Sequence, residues 1–342
     1  MDVLLVLGTF VVSFVLQHLA LYISLKYALF FDKNDTQKPQ RCHDFNASRG
    51  GGIGIIIAFI TASLYFDTFA QHFEGAIIGF GVGGFCVFLG GFLEDITGRI
   101  SPLIRLCAQS VGALIAIIAL GALVVDIGLG VMLPFALALP FSVFCIVGVC
   151  NAMNILDGFN GLTSGIALMA LAMILLISDN ALVHMHSLLL CCAIAGFFVC
   201  NFPHGRIFLG DGGAYFIGFM LALLLIVLTQ STDISAWFGV ALLIHPLFEV
   251  VFSIVRKRFV HHISPFAPDN RHLHSLIYRK LTHSSPATSL CLYALNLPFM
   301  LCALLFARDT FMLMLLCATF AVIYVALYIW LVHKEPRREN CD

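Results

Sequence analysis

Residues 206–229 read RIFLGDGGAYFIGFMLALLLIVLT, so a basic residue and a glycine-flanked aspartate lead straight into an apolar run. An α-helix needs about 20 mostly apolar residues to cross the hydrocarbon core of a bilayer. The glycines around Asp211 favour an open turn, because glycine adopts backbone conformations that other residues rarely adopt. The stretch therefore predicts a membrane helix that begins at a polar, glycine-rich turn.

The rest of the chain repeats this alternation of polar turns and apolar runs. Of its 342 residues, 61% are hydrophobic and 11% are charged, with a mean hydropathy of +1.00, whereas a soluble domain has about 25% charged residues. Eleven runs are predicted to cross the membrane. They are residues 3–25, 52–66, 76–93, 106–125, 131–150, 163–178, 185–200, 213–229, 235–255, 286–306 and 310–332. The predicted fold is an all-α, polytopic integral membrane protein, with residues 1–342 in one transmembrane domain.

The basic residues predict the orientation of these crossings. All 18 Lys and Arg residues except Arg308 fall into the same alternate set of turns, and such an excess marks the cytoplasmic side. The N-terminus is then outside and the C-terminus is cytoplasmic. The cytoplasmic loops expected to form the active site are 26–51, 94–105, 150–162, 201–212 and 256–285. The net charge of −1 gives no support for nucleic-acid binding.

Carboxylates and amides occur at the inner ends of two spans. The third span ends in Glu94 and Asp95, for which simple solvation at the interface is the alternative interpretation. The fifth span ends in NAMNILDGFNG, residues 151–161, where polar side chains recur at every third position. They are Asn151, Asn154, Asp157 and Asn160. Steps of three keep neighbouring members on one helix face, and a buried polar stripe needs partners or water. A seam of hydrogen bonds between helices is the alternative.

Two further acids lie beside or inside apolar runs. Asp211 suits a Mg²⁺ ion, because its glycine neighbours let the backbone and a phosphate approach the metal closely. An ordinary turn, in which Asp211 caps the following helix, is the alternative. Glu249 lies about two helical turns inside the basic end of the ninth span, where a carboxylate usually faces a site or a partner.

Basic groups suited to an anionic ligand are concentrated in two loops. Arg271, His272 and His274 suit a diphosphate, and a zinc site is less favoured because no third ligand accompanies the histidines. The first loop contributes Lys38, His43 and Arg49 before a glycine-rich helix start. Such a start can hold an anion, although a plain positive-inside loop would look similar.

These groups together place carboxylates for a divalent cation and cations for phosphates at one membrane surface. Phosphoryl transfer needs this combination, because it depends on charge neutralisation and in-line positioning. A site of this kind at the cytoplasmic face predicts one water-soluble phosphate substrate and one lipid substrate.

Residues 151–162, NAMNILDGFNGL, and 208–213, FLGDGG, resemble in the same order the motifs of the polyprenyl-phosphate N-acetylhexosamine-1-phosphate transferases of glycosyltransferase family 4. The resemblance implies transfer of a sugar 1-phosphate from a UDP-N-acetylhexosamine to the membrane lipid undecaprenyl phosphate, with release of UMP. It also implies Mg²⁺, with Mn²⁺ as a substitute, and a place in the bacterial inner membrane, where the product initiates a cell-surface polysaccharide such as the O-antigen of lipopolysaccharide. The oligomeric state stays open between a monomer and a homodimer.

The resemblance also implies roles for individual residues. Asp211 and Asn160 are the expected metal ligands, and Asp95 is the expected base or positioner of the lipid phosphate, with Glu94 and Asp157 as further catalytic candidates. The remaining candidates bind substrate, Phe208 by stacking on uracil. They are Asn154, Asn160, Phe208, Arg271, His272, His274, Lys38, His43 and Arg49. The chain departs from the family pattern at Glu94, Glu249 and Ser275, where Asp, Asp and His are usual.

Two other functions are considered. A secondary transporter of an anionic metabolite places its polar groups near the bilayer midplane, whereas here they crowd one face. A structural scaffold would leave the amide stripe and the Gly-Asp turn without a purpose.

Overall fold

The computed structural model describes residues 2–27, 48–68, 75–260, 262, 264 and 271–334. Thirteen α-helices and no β-strand lie in these ranges, which confirms the predicted all-α class. The helices are α1 (Asp2–Tyr27), α2 (Gly51–Phe66), α3 (Gly84–Thr97), α4 (Pro102–Leu120), α5 (Phe135–Leu156), α6 (Leu162–Ile177), α7 (Ala181–Asn201), α8 (Gly210–Ser231), α9 (Ala236–Leu242), α10 (Ile244–Val255), α11 (Leu273–Ile277), α12 (Ser285–Leu305) and α13 (Thr310–His333). π-Helical segments lead into α3 (Ile77–Gly83) and follow α10 and α11 (Arg256–Val260 and Tyr278–Thr282).

The described helices support fewer membrane crossings than eleven. Eight are long and apolar enough to span a membrane, or nine if α9 and α10, which meet at 77°, form one broken span. The break has a local cause, because Pro246 has no N–H to donate to the carbonyl group of Leu242. The helices α2 and α6 have 16 residues each. At 1.5 Å per residue each is about 24 Å long, shorter than the ~30 Å hydrocarbon core.

The predicted end of the fourth apolar run and the predicted start of the fifth are wrong. The fourth apolar run was expected to continue to residue 125, but α4 ends at Leu120 because Gly121 adopts a left-handed conformation with φ of +65°. Glycine in this conformation is a common helix terminator. The apolar residues that follow belong to a turn in which Asp126 pairs with Met132, and α5 begins only after Pro134.

The centre of the bundle is α8. It is apolar on nearly all sides, and 89% of its most apolar stretch is buried, as expected for a helix without a polar face. Glycines let its neighbours approach closely. A Cβ atom on Gly91 of α3 would lie 2.5 Å from the amide nitrogen of Gly212, and one on Gly52 of α2 would lie 2.5 Å from the Cα of Gly213.

The helix ends meet at two ends of the bundle. The first, here called the motif end, joins the start of α2, the end of α3 and the starts of α4, α6, α8 and α12. The second, the opposite end, joins Asn180 to Ser231 at 3.0 Å and Gln230 to Gly121 at 3.1 Å. Candidate residues from the loops after α3, α5 and α7 all lie at the motif end.

Gly91→Ala should destabilise the protein by about 1–3 kcal/mol, the usual cost of overpacking a close contact. The added methyl group would meet the backbone of α8, which cannot move aside as a flexible side chain can. The measurement is thermal unfolding of the detergent-solubilised protein. Gly148→Ala on α5 is the matched control, because nothing lies within 4 Å of its added Cβ. Equal melting temperatures for both variants would contradict the close-packing account.

Candidate active site

The first turn of α8 is capped by an acid from another helix. Asp95, near the end of α3, accepts the N–H of Asp211 through Oδ1 at 2.9 Å and the N–H of Gly212 through Oδ2 at 3.0 Å. The first N–H groups of a helix have no partner within it, and a negative charge is favourable there. Gly210 has φ of +72°, and a Cβ on it would lie 2.6 Å from Asp95 Oδ2. Asp95 therefore fixes the backbone that carries Asp211.

The half-buried side chain of Asp211 forms an ion pair with Arg105. Its Oδ2 accepts a hydrogen bond from Arg105 of α4 and lies 3.4 Å from the hydroxyl of Tyr215, which also lies 3.3 Å from Arg105 Nη1. Asn154 Nδ2 lies 3.4 Å from the same hydroxyl. The cluster thus joins α4 to α8 through the carboxylate of Asp211 and α5 to α8 through the hydroxyl of Tyr215.

Arg105 and Tyr215 were not predicted as site residues. From the sequence, Arg105 was used only as one of the basic residues that indicate orientation. The available signal was an arginine in the first turn of an apolar run, since such a residue usually finds an acidic partner. Tyr215 follows Asp211 by one helical turn, which places both on one face.

Asp157 is the third acid at the start of α8. Asp157 directly follows α5 and is half-buried. Burial raises the pKa of its carboxyl group to about 7, and the charge of Asp211 acts in the same direction. Arg49 and the backbone N–H groups of Gly210 and Gly158 act in the opposite direction. The acids Asp95, Asp157 and Asp211 therefore converge on one helix N-terminus.

Arg49 reaches this place because its segment runs beside residues 207–209. The N–H of Phe208 donates to Ser48 O at 2.7 Å, and the N–H of Gly51 donates to Phe208 O at 2.9 Å. The ring of Phe208 is buried, with 7% of the residue exposed. Its stacking on uracil stays a prediction. Lys38 and His43 lie outside the described residues.

Asn160 fastens the loop after α5 to two other elements. Its backbone N–H donates to Ser285 Oγ at 2.8 Å, its carbonyl accepts from Ser289 Oγ at 2.8 Å, and its Nδ2 donates to Pro203 O at 2.6 Å. Its buried Oδ1 has no hydrogen-bond partner among the described residues. Its role as a metal ligand stays a prediction.

Asn201, which was not predicted, completes this connection. Its Oδ1 accepts the N–H of Gly161 at 2.5 Å, and its Nδ2 donates to Ile207 O at 2.6 Å. It therefore joins the loop after α5 to the segment that leads into α8. The only sequence signal was an amide at the end of the seventh apolar run.

Glu94 is next to Asp95 but has a different environment. Its Oε2 accepts the N–H of Ile100 at 2.7 Å and so closes the turn between α3 and α4. Asp95, not Glu94, faces α8. The catalytic roles expected of Asp95 and Glu94 stay predictions.

The predicted diphosphate-binding residues lie around the start of α11. His272 Nδ1 lies 2.8 Å from Glu249 Oε1, and the side chain of Arg271 is exposed. His274 is buried, and burial lowers its pKa to about 3 although Glu249 acts in the opposite direction. Near neutral pH the imidazole of His274 is therefore uncharged. Contact of these three residues with substrate stays a prediction.

The acids at the motif end suit a cation that shares its coordination with phosphate. No cluster of three or more His, Cys, Asp or Glu side chains with metal-binding geometry occurs in the described ranges. Mg²⁺ is usually held by one or two carboxylates together with water and substrate phosphates. Asp211 fits that pattern. Its side-chain hydrogen bonds within the described ranges go to Oδ2, so Oδ1 is the oxygen that could bind the ion.

The central part of the chain is similar to glycosyl transferase family 4. The sequence profile of this family matches residues 77–229, which include Asp95, Asp157 and Asp211, and the predicted resemblance is confirmed. A probable undecaprenyl-phosphate N-acetylglucosaminyl 1-phosphate transferase of Bacillus subtilis is 28% identical over 92% of this chain and 89% of its own length.

Other relatives represent two branches of such enzymes. An undecaprenyl-phosphate alpha-N-acetylglucosaminyl 1-phosphate transferase of Salmonella typhimurium is 26% identical over 82% of this chain and 78% of its own length. A phospho-N-acetylmuramoyl-pentapeptide-transferase of Streptococcus uberis is 30% identical over 53% of this chain and 59% of its own length. The similarity to the first group covers more of the chain.

Asp157 should make the stability of the metal-free protein depend on pH. Its carboxyl group has a pKa of 3.8 as an ordinary side chain and about 7 in the fold. A raised carboxyl pKa stabilises the fold most at low pH, and this contribution is lost as the pH rises through about 7. The melting temperature in detergent should therefore fall more for the wild type than for Asp157→Asn between about pH 5 and about pH 8. Identical pH slopes would show that Asp157 does not titrate in this range.

Proposed function

We propose that this protein transfers an N-acetylhexosamine 1-phosphate from a UDP-sugar to undecaprenyl phosphate and releases UMP. The observation that carries the proposal is the convergence of Asp95, Asp157 and Asp211 on the start of α8, beside the cations of Arg49 and Arg105. The named activity of the similar proteins from Bacillus subtilis and Salmonella typhimurium supports it.

In this reaction an oxygen of the lipid phosphate forms a bond to the phosphorus that carries the sugar. The anhydride bond to the UMP phosphate breaks, and UMP leaves with that electron pair. One phosphoanhydride replaces another, so the equilibrium lies near balance. Asp211 would hold Mg²⁺, which neutralises the charge of the diphosphate when bound.

Other residues of the chain have separate roles in this reaction. Both oxygens of Asp95 accept backbone N–H groups, which favours a positioning role for Asp95 over a role as base. Asp157, with a pKa near 7, is better suited to take a proton from the lipid phosphate, since a base works best near the ambient pH. Arg49 and Arg105 supply positive charge to the phosphates.

Asp211→Asn should reduce transfer to background, because the amide cannot supply the negative charge that a divalent cation needs. The assay incubates the purified protein with undecaprenyl phosphate, Mg²⁺ and radiolabelled UDP-sugars, and measures UMP and lipid-extractable label. Removal of Mg²⁺ by a chelator should have the same effect on the wild type.

The matched control is Asp233→Asn, which makes the same chemical change at the opposite end. Asp233 is exposed and pairs with Arg308 at 2.7 Å, and exposed pairs contribute little to stability. Normal turnover by Asp211→Asn would remove this residue from the mechanism. No transfer by the wild type with any UDP-sugar would refute the proposed function.

We also propose that α2 and α6 cross the membrane, which restores eleven crossings with the motif end in the cytoplasm. Both helices begin at the motif end, and α6 ends beside Asn180 at the opposite end. The active site then faces the compartment that contains UDP-sugars.

This orientation can be tested with an impermeant maleimide on intact cells. The variant Arg308→Cys should be labelled from outside, whereas Arg99→Cys should react only after lysis, because the two arginines lie on opposite sides of the predicted membrane. Wild-type protein sets the background from the native cysteines. The reverse pattern would overturn the orientation.

A further inference from the structure

The carboxylate of Glu249 is buried and lies outside the acid cluster at the start of α8. It belongs to α10, and none of its surface is exposed. Its Oε1 lies 2.8 Å from His272 Nδ1 and accepts the N–H of Leu273 at 3.2 Å. Its Oε2 accepts the hydroxyl of Tyr324 at 2.7 Å. A buried carboxylate needs such partners to offset its loss of hydration, so the segment that enters α11 is held tightly on α10.

A second contact holds the same segment. Arg256, at the end of α10, donates from Nη1 to Arg271 O at 2.6 Å and lies 3.0 Å from the hydroxyl of Tyr328. Residues 271–273 are therefore attached at two points, Glu249 of α10 and Arg256 directly after it, which lie about two helical turns apart. At the first of these points Glu249 contacts the side chain of His272, whose neighbours lie nearer to the acid cluster.

That side chain is His272, which begins a series of ring contacts. The ring of His272 stacks on that of His274 with 5.3 Å between centroids and 9° between planes. His274 in turn meets the ring of Phe159 edge to face, with centroids 5.2 Å apart. Phe159 is 4% exposed and lies in the loop between Asp157 and Asn160.

We propose that Glu249 is a positioning residue of the UDP-sugar pocket, acting through His272, His274 and Phe159 on the loop that carries Asp157. The role in substrate binding rests on the proposed function. Closely packed rings transmit a displacement, because interiors pack at crystal-like density and have little free space to absorb it. Loss of the Glu249 contacts should loosen the loop at residues 157–161 while the lipid side of the site keeps its geometry.

The effect on kinetics should be selective. Glu249→Ala is expected to raise the KM for the UDP-sugar by about 10-fold or more, and to leave the KM for undecaprenyl phosphate within about 2-fold. A merely structural role would reduce the fraction of active protein and leave both KM values unchanged. Glu249→Gln retains an oxygen for His272 and Leu273, so its KM for the UDP-sugar should stay within about 3-fold of wild type.

Two further variants test the route. If Glu249 acts through His272, the double variant Glu249→Ala/His272→Ala should raise this KM no more than the larger single effect, because coupled residues are not additive. Asp67→Asn is the matched control, since Asp67 is a buried carboxylate bonded to Ser63 and His186 away from the acid cluster. It should lower the melting temperature without changing either KM.

Hydrogen–deuterium exchange measures the connection without reference to activity. Glu249→Ala should increase exchange in peptides that contain residues 157–161, whereas Asp67→Asn should not. Should Glu249→Ala fail to fold, Glu249→Asp replaces it, because it keeps the charge but shortens the reach by about 1.5 Å.

The outcomes separate the two proposals. Unchanged exchange at residues 157–161, or equal increases in both KM values, would overturn the role of Glu249. Increased exchange together with a wild type that transfers no sugar phosphate would support the connection and refute the proposed function instead.

Discussion

The structure depends on how the first turn of α8 is held in the centre of the bundle. The N–H groups of this turn have no partner within the helix, and leaving them unpaired in the interior would cost about 1–3 kcal/mol each. Asp95 accepts two of them. Because Asp211 lies in the same turn, the interaction that stabilises the central helix also fixes the acid that we propose as the metal ligand.

Close packing makes this cap geometrically necessary. Gly91 and Gly52 bring α3 and α2 against the backbone of α8, with no room for a side chain. The end of α3 and the start of α2 therefore meet at the start of α8. Asp95 and Arg49 lie close together because the three helices are in backbone contact there. The packing of the helices therefore places the carboxylates beside the cations.

Three carboxylates that are bound by groups from other helices illustrate why the sequence indicates candidates more readily than roles. Asp95 is compensated by backbone amides, Glu249 by His272 and Tyr324, and Asp67 by Ser63 and His186. Glu249 lies within a helix, whereas Asp95 and Asp67 lie at helix ends, and an acid at such a depth usually has a partner. Their partners come from other helices, so no pattern within one segment distinguishes the acid at the site from those that join helices elsewhere.

The sequence by itself determined the helical membrane class and the candidate acids Asp95, Asp157 and Asp211, because apolar run length and polar spacing are local properties. It predicted most of the helices, including the short α2 and α6, but not the glycine that ends α4 early. Only the tertiary structure decided that Arg105, 106 positions away, pairs with Asp211 and that Asn160 fastens a loop. Such contacts depend on which helices are neighbours, and packing in three dimensions alone determines that.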